Sequence, residues 1–81
     1  MPELTRFYGI IIKMFFNDHW PPHFHAQYGE YAGMFTLTGE PIEGDIPQRA
    51  QNLITEWAHQ HTDELTELWT TQTFRKLPPL E

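Results

Sequence analysis

Residues 18–25 read Asp-His-Trp-Pro-Pro-His-Phe-His, and this stretch holds three of the five histidines in the 81-residue chain. His23 and His25 are two positions apart, so on a strand their imidazoles share a face with Cα atoms about 6.5 Å apart. That spacing suits two nitrogen ligands converging on one ion. His19, folded back by the Pro21-Pro22 turn, would be a third neutral-nitrogen ligand, and Asp18 a fourth or an acceptor that fixes a histidine tautomer. A divalent metal such as zinc held this way with one open position lowers the pKa of bound water toward about 7. Two other readings fit the same residues. The histidines can act as an acid/base pair without metal, or serve as a rigid corner in which they donate to loop carbonyls and stack on rings. Trp20, if exposed, is a contact residue for a partner.

Composition removes other chemistries. Without cysteine there is no thiolate zinc site and no cysteine nucleophile, and without serine there is no Gly-x-Ser-x-Gly elbow. No glycine-rich phosphate loop is present. The net charge is −6, and the five basic residues Arg6, Lys13, Arg49, Arg75 and Lys76 are scattered. Double-helical nucleic acid needs clustered cations, so no nucleic-acid-binding residues are expected. Lys13 interrupts the N-terminal apolar run, and no apolar segment reaches the roughly 20 residues of a membrane span. The N-terminus has no secretory pattern, and the expectation is a cytoplasmic protein.

The elements that must position these residues make one α+β domain over 1–81, with an antiparallel sheet of three to four strands covered by two C-terminal helices. From 7 to 16 the even positions Tyr8, Ile10, Ile12, Met14 and Phe16 form a period-two apolar face, which predicts one strand. Its odd face, with Phe7, Ile11 and Phe15, is also apolar. This predicts a strand covered on both sides, or one that offers these three residues to a partner or a second copy of the chain. Asn17 to Pro22 reads as a stiff turn in which Trp20-Pro21 and Pro21-Pro22 are candidate cis bonds. Strands at 23–28 and 31–38 would be joined by a type II′ turn at Gly29-Glu30. That turn pairs Phe24 with Phe35, His25 with Met34 and His23 with Thr36, and sets the histidines opposite the aromatic face. A fourth strand is expected at 41–44.

Asp45 is expected to cap a helix at 47–61 and Thr62 one at 63–73. Trp57 and Trp69 lie on their apolar stripes. His61 falls on the inner stripe with His59 beside it, which makes them helix residues rather than ligands. Residues 74–81, with Pro78 and Pro79, form an extended or frayed tail.

Arg6-Phe7-Tyr8-Gly9-Ile10, Asn17-Asp18-His19, Pro21-Pro22-His23-Phe24-His25-Ala26, Tyr28-Gly29-Glu30-Tyr31, Glu56-Trp57-Ala58 and Asp63-Glu64-Leu65 together resemble a small bacterial family, domain of unknown function number 4160. The resemblance covers nearly the whole chain and brings no assigned catalytic residue. Trp20 stands where the family pattern implies a proline or a small polar residue. The resemblance also implies a gene neighbour from family number 2442, in an arrangement similar to toxin–antitoxin pairs. The leading expectation is therefore a protein-interaction component of such a two-gene module. The alternative is a metal-assisted hydrolase, with RNA as a candidate substrate, that uses His19, His23 and His25.

Overall fold

A computed structural model of the chain describes residues 3–16 and 18–81. Asn17, where the expected turn begins, lies outside them, as do Met1 and Pro2. Five antiparallel strands run in sequence order across one sheet: β1 (Glu3–Phe7), β2 (Ile10–Lys13), β3 (His23–Tyr28), β4 (Tyr31–Thr36) and β5 (Pro41–Gly44). Helices α1 (Gln48–Gln60) and α2 (Thr62–Thr71) follow, with only His61 between them.

The single strand expected over 7–16 is a hairpin. Tyr8 (φ 49°) and Gly9 (φ 81°) both have positive φ and form its two-residue turn, and Phe7 pairs with Ile10. Such a turn reverses the parity of the inward positions. Phe7 therefore joins Ile10, Ile12 and Met14 in the core, while Tyr8 is exposed. The period-two pattern ran straight through the turn because apolar residues flank it on both sides. A bulge between Glu3 and Thr5 adds Leu4 to the buried set. Phe7 packs on Trp57 with ring centroids 5.9 Å apart, so it is not available to a partner as expected.

The β3–β4 register matches the expected one at every pair, from Tyr28 opposite Tyr31 to His23 opposite Thr36. Phe24 stacks on Phe35 at 5.6 Å and meets Trp57 edge-on at 5.8 Å. Ala50, Ile54, Trp57 and Ala58 of α1, and Leu65, Leu68 and Trp69 of α2, complete a single core cluster with the sheet. The helices cover one face. Ile11, Lys13, His25, Gln27 and Met34 lie on the other, which corrects the expectation of a first strand covered on both sides.

Neither expected helix cap forms. The Asp45 carboxylate accepts the Ala32 N–H at 3.2 Å and the Asp45 N–H donates to the Ala32 carbonyl at 3.1 Å, so Asp45 extends the β4–β5 pairing. The N-cap position of α1 falls to Pro47. Thr62 lies inside α2 and its hydroxyl donates back to the Ala58 carbonyl at 2.8 Å. Asp63 and Glu64 do occupy the first turn of α2, where the helix dipole favours them.

The tail is docked. Leu77 and Leu80 are buried, the Leu77 N–H donates to the Leu4 carbonyl at 3.0 Å, and the Trp57 indole N–H donates to the Pro78 carbonyl at 2.8 Å. Leu77→Ala should lower the unfolding free energy by about 2–3 kcal/mol, within the range for a buried leucine. Urea titration checks this, and a frayed tail would give a change within about 0.5 kcal/mol.

Candidate metal centre

The turn after β2 and the first residues of β3 bring three side chains together. Asp18, His23 and His25 each offer a ligand atom, and these atoms lie within 4.8 Å of one another. Asp18 Oδ2 stands 2.9 Å from His23 Nε2 and 3.4 Å from His25 Nε2. Ligands placed 2.0–2.1 Å from a tetrahedral zinc ion are about 3.3 Å apart, so both separations suit a shared ion. Alternation along β3 produces this arrangement, because Phe24 is drawn into the core and the flanking imidazoles share the opposite side.

His23 is the decisive residue. It is 1% exposed, with the Trp69 ring 5.3 Å away. Its Nδ1–H donates to the Pro21 carbonyl at 2.7 Å, which commits the one N–H of a neutral imidazole. The Nε2 lone pair then faces the Asp18 carboxylate, and two acceptors 2.9 Å apart need a positive charge between them. A second ring proton supplies it, and so does a cation. A carbonyl that fixes one ring nitrogen and frees the other is the usual outer support of a metal-ligating histidine.

The remaining residues of the motif sit around this group. Asp18 stays ionised: the His19 backbone N–H, 2.8 Å from Oδ1, holds its carboxyl below the usual value of 3.8, and bonds from His25 and His23 add to this against the opposing effect of burial. Burial pushes the His25 imidazole below its ordinary 6.5, with the Asp18 hydrogen bond opposing it. The structure leaves His19 outside the three-atom convergence. Its ring stacks on His23 at 5.2 Å, its Nδ1–H donates to the Trp20 carbonyl at 3.2 Å, and its Nε2 is 3.8 Å from Asp18 Oδ1. Trp20 is 77% exposed and the Trp20-Pro21 bond is cis. Phe15 meets His25 edge-on at 4.5 Å, and Ile11 lies on the same open face. His59 is exposed on α1 as a helix residue, whereas His61, expected within the helix, lies between α1 and α2 and packs on Trp57 at 5.1 Å.

Two partners of the site escaped sequence reasoning. Trp69 was legible as a core residue, but not as the lid on His23. Lys13 was legible only as an interruption of an apolar run, although it pairs directly with His25 across β2 and β3.

Fold and site together define a small α+β protein with a five-stranded meander and a two-histidine, one-carboxylate cluster at the start of its third strand. The chain belongs to the family described as Domain of unknown function (DUF4160), whose model matches residues 9–70. No curated protein and no solved structure matches it. Among the described residues, no helix is long and apolar enough to cross a membrane.

Both shifts have the same sign in their effect on the metal-free protein. The stabilisation from Asp18 is complete above its unfolded value of 3.8 and is lost as pH falls through the lower folded value. His25, depressed by burial, lowers stability as pH falls from 6.5 through its own folded value. Asp18→Asn should reduce stability at pH 7 by about 1–2 kcal/mol and flatten the loss below about pH 4. Urea midpoints measured from pH 3 to pH 8 check this, and an unchanged acid limb would contradict it.

Proposed function

We propose that the protein binds one divalent metal ion, with zinc the best match to the donors, through a carboxylate oxygen of Asp18, His23 Nε2 and His25 Nε2, and that it uses the ion in hydrolysis. The main support is the pairing of a buried imidazole and a carboxylate that both present acceptors. One ion satisfies both and takes the nearby His25 nitrogen as well. Two histidines and one carboxylate also form a familiar zinc ligand set that leaves a coordination position open. An ion bound there supplies a water that ionises near neutral pH.

The chain's own residues then divide the work. The Pro21 carbonyl fixes the His23 tautomer and Trp69 shields that ring from water. Asp18 and His25, both partly accessible, leave the open side of the site toward solvent. His19 holds its Nδ1 proton on the Trp20 carbonyl, so its Nε2 is free to accept the proton released by the attacking water. A bound ion would supply the nucleophilic water for cleavage of a phosphoryl or acyl ester, and His19 would return the proton to the leaving oxygen.

Untagged protein purified without chelator should take up one zinc per chain, measured by plasma emission. Asp18→Asn and His25→Ala should each weaken zinc binding at least tenfold. Uptake near zero in the folded wild-type protein would contradict the proposal.

A specific observation also favours a second reading, a protein-interaction component of a two-gene module. Trp20 is exposed, and the sheet face left uncovered by the helices carries Ile11 and Phe15. Under this reading the chain and its family-2442 neighbour co-elute in size-exclusion chromatography when co-expressed. Separate elution at micromolar concentration counts against it.

A further inference from the structure

The face of the sheet turned away from the helices carries an ordered row of side chains. Lys13 pairs with His25, His25 with Met34, and Met34 with Glu43, so the row runs from a cation through an imidazole and a thioether to a carboxylate. Ile11 and Phe15 stand two positions to either side of Lys13, and with the row they line a groove of about 390 Å³. That volume suits a small ligand. Phe15 is fixed against the ring of His25, and His25 also reaches Asp18, so one imidazole belongs to both the groove and the metal centre.

Charge gives the groove a direction. A divalent ion bound to a single carboxylate keeps a net positive charge, and Lys13 adds another at the same end. Glu43 repels anions from the far end, on β5. Met34 lies between the two ends, and Ile11 and Phe15 flank Lys13 to complete an apolar floor. An anionic group is therefore favoured at the His25 and Lys13 end, and an apolar body over the floor. One lysine in a chain of net charge −6 does not track a polyphosphate backbone, which excludes an extended nucleic acid.

Resting on the metal reading above, we propose that this groove binds a small oxyanion with an apolar or aromatic body, its phosphate or carboxylate group placed between the metal ion and Lys13. Lys13 and Phe15 are then specificity-determining residues.

Zinc-loaded protein, with its stoichiometry measured first, is titrated with phenyl phosphate and with phenylacetate, and inorganic phosphate and acetate serve as references. Calorimetry gives affinities and amide chemical shifts locate the site. At least one aryl compound should bind tenfold or more tightly than its bare anion, and the tighter of the two names the natural anion as phosphate or carboxylate. Lys13→Met and Phe15→Ala should each weaken that binding at least fivefold while zinc content stays at one per chain, and removing zinc should weaken it at least tenfold. If neither aryl compound outperforms its bare anion, or if Lys13→Met binds as the wild type does, the groove assignment is overturned and the metal site stands. A protein that takes up no zinc overturns both, and that result is read before any ligand is added.

Discussion

Alternation along β3 couples the core of this protein to its chemistry. Phe24 is held by Phe35 and Trp57, and that packing fixes the direction of the two residues beside it. His23 and His25 have little freedom to turn elsewhere, because a slip of one residue would place imidazoles in the aromatic core and Phe24 on the open face. The hydrophobic contacts that stabilise the sheet therefore also set the spacing of the nitrogen atoms. Trp69 extends the same logic, since the helix that completes the core also closes over His23.

The polar side of the arrangement is built from short-range constraints. The Asp18 carboxylate is anchored at one oxygen by the next backbone N–H and offers the other to two imidazoles. The Pro21 carbonyl orients His23 from its own turn. Among the described residues, the partners of the cluster come from residues 18–25, apart from the rings of Phe15 and Trp69 and the cross-strand neighbours Lys13, Met34 and Thr36. A small domain can support such a site because one turn and one strand supply all three ligand atoms.

Much of this was legible in the sequence. Gly29-Glu30 and the alternating residues around it determined the β3–β4 register, and the spacing of His23 and His25 determined that they share a face. The helical stripes identified Trp57 and Trp69 as core residues. The first hairpin was not legible, because Tyr8 occupies a positive-φ position where asparagine or glycine would have announced a turn. Asp45 and Thr62 carried the composition of helix caps, but their side chains found better partners in Ala32 and Ala58. The position of His19 depended on the path of the turn through Trp20 and Pro21, which residue types do not specify. The tail's docking depended on the Leu4 carbonyl and the Trp57 indole, groups distant in sequence that become neighbours only in the folded chain.

The site as proposed joins Asp18, His23 and His25 through one ion. Crystals grown with zinc and measured on both sides of the zinc absorption edge test it most directly. One anomalous peak is expected about 2.0–2.1 Å from His23 Nε2, His25 Nε2 and an Asp18 oxygen, with the Pro21 carbonyl still accepting from His23 Nδ1. A peak held by other residues, or no peak while Asp18 and His23 keep their present contact, would contradict it.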